Sequence, residues 1–414
     1  MPPLPGWARR AAQLAVVLLP LFVLHARALA EVSVVVADLA FLWQMAATRN
    51  WRWLIAWDSW PGLAFWAWEL LCSLPGHAAG GMPAFVQALV AIRWFLLIPA
   101  LSRVVLAEAP VRAWLTRMIA FAVLYIGANV WLQQLTGVDM WGLHRWGDGS
   151  LTGPFREPRA SAPLVRMMFP VLLPALARSR WLVGAVWLLL AVVTMVLIGQ
   201  RMPVLLLLLG LATTALLLPR LRILALAFLV LVPIAVGATV VVSPPAYHRL
   251  VTKFTHQMED FPDSPYGALY LRSLAMAENR PWLGWGFDGF RHACPDAQNF
   301  RAFPDFGQHL RDGGGAGICN IHPHNIYLEA LTNAGIPGLA LFALTVLAWL
   351  VATARNLTRD GRRPDPLQAG VFVAILVHFW PIASSSSAFD VHTSGIGFMM
   401  AGFGVALARA ARSG

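Results

Sequence analysis

The stretch at residues 322–338, HPHNIYLEALTNAGIPG, brings together several side chains that can do chemistry. His322, His324, Asn325 and Glu329 all lie within eight residues, directly before a long apolar run. A histidine has a pKa near neutrality and can act as a general base, and it can also bind a metal ion. No third metal ligand follows at a fitting spacing, so the pattern favours a base over a metal site.

The end of the same stretch predicts a break in the helix that follows. Asn325 suits the N-cap of a helix beginning at Ile326. Gly335, Pro337 and Gly338 oppose its continuation, because glycine favours a left-handed C-terminal position and proline lacks the amide donor. We therefore expect a short helix over 326–334 and the rest of a membrane span over 339–354. A broken helix beside polar groups is typical of a substrate site at the membrane edge.

The composition indicates what kind of chain must position these groups. Hydrophobic residues make up 58% of the 414 residues and charged residues only 12%, whereas soluble domains average about a quarter charged. Apolar runs long enough to cross a bilayer recur along the whole chain. The sequence therefore predicts an all-α polytopic membrane protein. The arginines lie in short loops between the apolar runs and not on one soluble face, so no nucleic-acid partner is expected.

Clusters of arginine between the apolar runs predict the topology, since positive residues favour the cytoplasmic side. Each interval between clusters has room for a pair of helices, which predicts about twelve spans with both termini inside. The uncertain region is residues 30–80, where a hairpin or an interfacial helix would leave ten spans. The predicted spans are 11–30, 32–47, 53–74, 84–102, 115–135, 162–177, 181–199, 203–218, 222–242, 326–353, 367–388 and 392–409.

This topology divides the chain into three parts. Residues 1–242 hold about nine spans with an outer loop at 136–161, residues 243–323 form a large periplasmic loop, and residues 324–414 hold about three spans. A loop of that length is usually functional and contains short helices, and residues 264–279 are expected to form one. Cys294 and Cys319 both lie in this loop, where an oxidising periplasm would allow them to pair.

Two arginines on the predicted outer side depart from the positive-inside pattern. Arg201 lies in a turn between two apolar runs, and Arg272 lies on the predicted loop helix. Arg201 can snorkel at a helix end and Arg272 can belong to a solvated helix face. Both can also bind a phosphate, because guanidinium groups form bidentate, charge-assisted hydrogen bonds with phosphate oxygens. The chain has no Asp-x-Asp pair to hold a metal on a diphosphate, so arginines would have to neutralise a diphosphate leaving group.

These residues resemble a known pattern. His324-Asn325, nine residues and then Gly335-Ile336-Pro337-Gly338 are similar to the His-Asn-x9-Gly-x-x-Gly pattern of the bacterial O-antigen ligase family, whose domain is related to that of the O-antigen polymerases. The segments 151–158 (LTGPFREP), 199–201 (GQR) and 270–290 resemble other parts of the same family in order and spacing. Gln200 stands where the family usually has serine, and the loop from Cys294 to Cys319 has no counterpart.

The resemblance implies a metal-independent, inverting glycosyl transfer without a cofactor. The donor would be a glycan on undecaprenyl pyrophosphate, and the site would face the periplasm from the bacterial inner membrane. His324 would deprotonate the acceptor hydroxyl, Arg201 and Arg272 would bind the pyrophosphate, and His322 and Asn325 would orient the base or the acceptor. Gly335, Pro337 and Gly338 would have a structural role and form the break in the helix.

The sequence is compatible with several acceptors and with one other class of function. In a ligase the acceptor would be lipid A-core, in an O-antigen or exopolysaccharide polymerase a second lipid-linked glycan, and glycosylation of a protein is a third option. A flippase or transporter of a lipid-linked substrate would also use arginines near a broken helix. A transporter usually shows internal repeats and mid-membrane ionisable groups, whereas here no repeat is evident and the polar cluster lies at the outer edge.

Overall fold

The computed structural model of the chain describes residues 2–259, 261, 264–300, 316–355, 357 and 364–413. Over these residues the secondary structure is helical, apart from one isolated β-bridge between Val138 and His144. The predicted all-α class is therefore confirmed. Glycines at positive φ end two of the long helices, at Gly137 (φ 86°) and Gly199 (φ 72°), where a left-handed residue is favoured.

The helices before the long loop are α1 (Gly6–His25), α2 (Arg27–Thr48), α3 (Trp60–Cys72), α4 (Gly81–Val90), α5 (Ile92–Ala100), α6 (Ala109–Thr136), α7 (Ser161–Met167), α8 (Phe169–Arg178), α9 (Trp181–Ile198), α10 (Arg201–Leu217) and α11 (Arg222–Val242). A π-helical turn, Leu101–Val105, extends α5. The remaining helices are α12 (Pro244–Tyr247), α13 (Lys253–Glu259), α14 (Pro265–Asn279), α15 (Gly289–Ala293), α16 (Ile326–Ala354), α17 (Pro366–His378) and α18 (Ser394–Ser413).

Within the described ranges, eight helical segments are long and apolar enough to cross a membrane. This supports a multi-pass membrane protein, although the predicted count of twelve full spans is not reached. The eight segments are Gly6–His25, Arg27–Thr48, Gly81–Val105, Ala109–Thr136, Trp181–Ile198, Pro219–Val242, Ile326–Ala354 and Ser394–Arg412.

The other predicted spans are shorter helices. The predicted span 53–74 is reduced to α3, with 13 residues, because Asp58 and Pro61 interrupt the apolar run. The predicted span 162–177 is divided into α7 and α8, while 203–218 corresponds to the 17-residue α10. The predicted span 367–388 ends early: α17 stops at His378, and residues 379–393 contain no helix. We call residues 379–393 the serine segment, after its four consecutive serines.

Aromatic packing joins the helices around the serine segment. Phe65 of α3 contacts Phe342 of α16, with ring centroids 5.3 Å apart, and Phe95 of α5 contacts Phe398 of α18 at 5.6 Å. Phe389 of the serine segment lies 6.1 Å from the Phe95 ring. Edge-to-face and tilted aromatic pairs of this kind add about 0.5–1.5 kcal/mol each beyond area burial. The serine segment is therefore anchored in the helix bundle although it lacks regular structure.

The bundle has two ends. The cavity end carries the start of α16, the end of α1 and the start of α2, which together line a large cavity. The distal end carries the end of α2, the π-helical turn and the end of α18. Because α2 has 22 residues, the two ends lie about 30 Å apart along its axis.

Candidate active site

Asn325 fixes the start of α16. It has extended backbone geometry, and its side-chain oxygen accepts hydrogen bonds from the amides of Tyr327 (2.9 Å) and Leu328 (3.1 Å). Its side-chain nitrogen donates to the carbonyl oxygen of Pro381 at 2.7 Å. Asn325 is 4% exposed. It therefore caps the helix, as its residue type suggests, and also ties the cap to the serine segment.

Three further hydrogen bonds attach the serine segment to the first turn of α16. The Tyr327 hydroxyl donates to the Phe379 carbonyl at 2.7 Å. Both carboxylate oxygens of Glu329 accept hydrogen bonds, from the Ser387 hydroxyl at 2.6 Å and from the Ala388 amide at 2.7 Å. Glu329 is 5% exposed, so these bonds satisfy a buried carboxyl group. Glu329, which the sequence pattern alone leaves without a role, thus braces the serine segment.

His324 adopts a backbone conformation that is unusual for its residue type. Its φ is +56°, in the left-handed region, which costs non-glycine residues roughly 1–2 kcal/mol. Its carbonyl accepts a hydrogen bond from the Ser385 amide at 2.9 Å, so the serine segment helps to hold this conformation. Strained residues kept in place by their surroundings occur preferentially at functional sites.

The ring of His324 offers a defined basic nitrogen. Its Nε2 lies 3.0 Å from Nδ2 of Asn320, and the Asn320 oxygen accepts from the Ile321 amide at 2.7 Å. The amide group of Asn320 must therefore donate, so Nε2 of His324 carries the lone pair. Burial lowers the pKa of His324 below its ordinary value of 6.5. The ring is consequently neutral at neutral pH and able to accept a proton.

His322 packs beside this base. The two rings are T-shaped with centroids 4.4 Å apart, and Nδ1 of His322 accepts from the His324 backbone amide at 3.2 Å. Burial, with a smaller contribution from the neighbouring His324, lowers the pKa of His322 to about 4. A neutral His322 cannot repel a proton arriving on His324, so it supports the base by position and not by charge.

The helix break lies at Gly335. α16 runs from Ile326 to Ala354, but Gly335 has φ +66° and ψ −167° inside it, so the interruption is a single residue and the helix resumes directly. Residues 281–286, which we call the docking loop, fill the gap: the Ile336 amide donates to the Pro281 carbonyl at 2.7 Å, and the Gly286 amide donates to the Asn333 carbonyl at 2.9 Å. A Cβ at position 335 would lie 2.5 Å from the Pro281 oxygen. Only glycine fits there.

Pro337 and Gly338 lie just beyond the break. Pro337 is inside α16 as the structure has it, two residues after Gly335, where the missing helical hydrogen bond of a proline is tolerated next to an existing interruption. A Cβ on Gly338 would meet the Cβ of Ala334 at 2.2 Å. The Gly-x-Pro-Gly sequence therefore allows the two halves of the helix to approach each other closely.

A cavity of about 1570 Å³ opens beside the two histidines. Four histidines line it (His25, His322, His324 and His392), together with two acids (Asp288 and Asp390) and six arginines (Arg27, Arg93, Arg156, Arg159, Arg166 and Arg291). Three of the six arginines already pair with acids, namely Arg93 with Glu31, Arg159 with Glu157 and Arg291 with Asp288. The other three exceed the remaining acid, Asp390, and this positive excess makes the cavity suitable for an anionic substrate. It is also large enough for a ligand bigger than a typical drug-sized molecule, for which cavities of about 300–1,000 Å³ are usual.

Arg166 is the most deeply buried of these arginines. It lies on α7 and is 3% exposed. Its Nε has no hydrogen-bond partner among the described residues, and the nearest acid that influences it electrostatically is Asp390. Asp390 lies on the serine segment, where its carboxylate accepts from the Thr393 amide at 3.1 Å. A buried, incompletely paired guanidinium at a cavity wall is well suited to bind a phosphate group.

Arg201 lies close to the base. It is half-buried at the start of α10, its Nη1 donates to the side-chain oxygen of Gln257, and its guanidinium lies 5.9 Å from the Phe254 ring. It interacts electrostatically with Tyr266, and the Tyr266 ring is 5.8 Å from the ring of His324. Arg201 and His324 therefore share Tyr266 as a neighbour, although Arg201 is not among the described residues that line the cavity.

Hydrogen bonds to the residues before Arg201 fix the turn that carries it. Gln200 accepts a hydrogen bond from the Ser161 hydroxyl and donates to the Pro158 carbonyl, so it joins the loop before α7 to the start of α10. Arg249 donates to the carbonyl of Gly199 at 3.3 Å and holds the end of α9. The glutamine that departs from the family pattern thus has a clear structural contact in this chain.

Arg272 lies elsewhere. It is 2% exposed on α14, where it donates to the Cys294 carbonyl at 2.7 Å and lies 4.3 Å from the centre of the Phe300 ring. It is not among the residues that line the cavity. Tyr266 and Tyr270, four residues apart on the same helix, instead neighbour His324 and Asn325 respectively. Because each residue turns a helix by about 100°, Arg272 points away from the face that carries Tyr270.

A disulfide joins Cys294 to Cys319, with Cα atoms 5.8 Å apart. Nη1 of Arg272 also lies 3.7 Å from the sulfur of Cys319. The disulfide packs with Leu269, Met276 and other residues in a small core of the long loop. It therefore fixes the chain a few residues before His322.

Sequence reasoning missed Arg166, Asp390 and the role of Glu329. Arg166 had a detectable signal, because it is a charged residue inside the predicted apolar span 162–177. Asp390 had a weaker one, since it follows Pro381 and four serines in a region predicted to be largely a span. An ionisable residue within a membrane segment marks a candidate functional site by default.

The fold and the site define a multi-pass helical membrane protein with a basic, histidine-containing cavity at one end. Residues 185–343 match the model of the O-antigen ligase family. The match includes Arg201, Arg272, His324 and Gly335, and it confirms the resemblance to the O-antigen ligase and polymerase family. It supports a membrane enzyme of this type. No curated protein matches the chain.

Proposed function

We propose that the protein transfers a glycan from undecaprenyl pyrophosphate to a sugar hydroxyl of lipid A-core, as an O-antigen ligase does. The cavity would face the periplasm from the bacterial inner membrane, with residues 243–323 as its periplasmic loop. The observation that carries this proposal is the combination of a neutral, strained His324 with six arginines around one large cavity. The family match over residues 185–343 supports the same reading.

In the proposed reaction, the acceptor hydroxyl replaces the exposed Asn320 amide as the hydrogen-bond partner of Nε2 of His324 and gives its proton to that nitrogen. The acceptor oxygen then attacks the anomeric carbon of the donor sugar from the side opposite the pyrophosphate, so the configuration inverts. The bond between the anomeric carbon and the phosphate oxygen breaks, and its electrons remain on lipid pyrophosphate. Guanidinium groups that are already in place stabilise this growing negative charge, which is a large contribution in a site partly shielded from water.

The position of each arginine determines the role that we assign to it in binding the pyrophosphate. Arg166 lines the cavity and has a free Nε–H among the described residues, so we assign it to the pyrophosphate. Arg201 does not line the cavity, but it shares Tyr266 as a neighbour with the base, so we propose that it binds the pyrophosphate as well. Arg272 packs against the Cys294 carbonyl and the Phe300 ring. We therefore propose that Arg272 positions the long loop and does not contact the donor.

The proposal is tested by reconstituting the purified protein with an undecaprenyl-pyrophosphate glycan and lipid A-core in the presence of a chelator. We expect release of lipid pyrophosphate and a new glycosidic bond. The His324→Asn variant should lose about 10²–10⁴-fold in rate, as expected for loss of a general base, because asparagine tolerates positive φ and the variant should still fold. The control is His144→Asn, at an exposed position outside the cavity.

Three results would contradict the proposal. Wild-type activity in His324→Asn would show that the base is another group, and a strict requirement for a divalent metal would contradict the arginine-based mechanism. Transfer only to a second lipid-linked glycan would make the protein a polymerase and would overturn the assignment of lipid A-core as the acceptor.

A further inference from the structure

A second cavity lies at the distal end of the bundle, about 30 Å from the first along α2. Its volume is about 390 Å³, within the range usual for small-molecule sites. Its polar wall consists of Arg103 from the π-helical turn, Arg112 from α6, Arg409 from α18, and the side chains of Asn50 and Ser102. Four separate parts of the chain thus supply one basic cavity between helices.

One carboxylate lies behind these arginines and balances only part of their charge. Asp58 pairs with Arg103 at 2.8 Å and with Arg409 at 2.9 Å. Glu108, the residue before α6, accepts a hydrogen bond from Gln13 at 3.1 Å on the exposed surface. No acidic residue is among the described residues that line the cavity itself. The cavity wall therefore keeps a positive excess.

Two of the guanidinium groups keep unused donors. Nη1 of Arg112 donates to the carbonyls of Leu106 (2.9 Å) and Ala107 (2.6 Å), which fixes the group without neutralising it. Arg409 donates to Asp58 through Nη2, and its side chain is 41% exposed. The remaining N–H groups of both side chains donate to no residue in the described part of the chain. They are available for an anion.

The rest of the wall is apolar. Met45, Leu106, Ala107, Ala406 and Ala410 complete the lining of the cavity. A ligand that matches both walls carries an anionic group and an apolar part. Phospholipids with a net negative charge have this composition, and basic pockets between helices on the cytoplasmic side are known to bind their head groups.

The geometry points to a structural site for an anionic phospholipid of the inner leaflet, with the phosphate between Arg112 and Arg409 and the glycerol against Met45 and Leu106. The distal end also carries the arginine-rich N-terminal and 49–52 segments, which the positive-inside rule assigns to the cytoplasm. Anionic lipids are concentrated in that leaflet. This site is independent of glycosyl transfer at the other end of the bundle.

The test measures lipid binding by the purified protein with native mass spectrometry and thermal unfolding, adding phosphatidylglycerol, phosphatidylcholine or inorganic phosphate. We expect phosphatidylglycerol to bind and to raise the unfolding temperature, because a ligand that binds only the folded state stabilises it. Arg112→Gln and Arg409→Gln should each weaken binding about tenfold, since a hydrogen-bonded charge is worth about one decade or more in affinity. The control is Arg10→Gln, an exposed arginine of α1 outside the cavity.

Arg409→Lys is the second variant at that position in case Arg409→Gln does not fold, because lysine keeps the charge beside Asp58 while losing the bidentate geometry. It should bind phosphatidylglycerol more weakly than wild type. Equal binding of phosphatidylglycerol and phosphatidylcholine, or equal loss in Arg10→Gln, would overturn the proposal. An equal effect of inorganic phosphate at the same concentration would overturn the lipid as the source of the phosphate group.

Discussion

Replacing Glu329 tests whether the first turn of α16 holds the serine segment in place. In Glu329→Ala, the Ala388 amide loses its acceptor at 2.7 Å and the Ser387 hydroxyl loses its acceptor at 2.6 Å. The hydroxyl can rotate to another partner, but the buried amide cannot. Leaving such a donor unpaired costs about 1–3 kcal/mol, and the second bond raises the expected loss of stability to roughly 2–4 kcal/mol.

The consequence for activity follows from what the segment carries. Ser385, Ser387 and Asp390 all line the cavity, and the Ser385 amide supports the strained His324 backbone. A displacement of about 1 Å at a catalytic group can cost on the order of 10²-fold in rate. We therefore expect kcat/KM for glycan transfer in Glu329→Ala to fall between tenfold and a hundredfold.

Glu329→Gln is the matched variant. Its amide oxygen can still accept from the Ala388 amide, and its NH₂ group can donate to a rotated Ser387 hydroxyl. It should therefore keep most of the activity and stability. The assay compares kcat/KM, thermal unfolding and hydrogen exchange at residues 388–390 in the two variants. Wild-type values in Glu329→Ala would refute the bracing role, and equal damage in both variants would show that the charge, and not the hydrogen-bond geometry, is what matters.

Three further outcomes follow from the site. Asn325→Ala should lower stability by about 1 kcal/mol through loss of the helix cap, measured by thermal unfolding, whereas Asn325→Asp should keep the cap and lose only the bond to the Pro381 carbonyl. Gly335→Ala should destabilise the fold by more than about 1 kcal/mol, because alanine is strained at positive φ and would collide with the docking loop; an unchanged unfolding temperature would contradict this. The pH profile of kcat/KM should rise with pH to a plateau, with its midpoint below 6.5, because burial lowers the pKa of His324 and the base works deprotonated. A midpoint above pH 6.5 would show that the rise in kcat/KM reports the titration of a different group.

The parts of the fold that follow from local residue chemistry could be predicted from the sequence. The membrane class follows from composition, and the interruption near Gly335 follows from glycine and proline next to each other. The early end of α17 had a signal too, since Pro381 and four serines interrupt an apolar run. The prediction of a full span over 367–388 is wrong because it followed the hydropathy of the segment and not these helix-breaking residues.

The cavity could not be predicted, because it is assembled from residues that are far apart in the chain. Arg166 and Asp390 line the same cavity through the packing of α7 against the bundle, and no spacing in the sequence encodes that arrangement. Arg272 shows the opposite case. Its residue type and position predict a phosphate ligand, and the proposal that it instead positions the long loop rests on its contacts with the Cys294 carbonyl and the Phe300 ring, which only the folded structure reveals.

The nine residues between Asn325 and Gly335 form a short helix whose two ends are both fixed by hydrogen bonds. The serine segment holds one end and the docking loop holds the other, so the length and the rotational phase of this short helix are fixed together. Inserting one residue would turn one end by about 100° relative to the other and shift it by about 1.5 Å. Neither end could then keep its hydrogen bonds while His324 faced the cavity. This part of the chain should therefore tolerate no insertion or deletion.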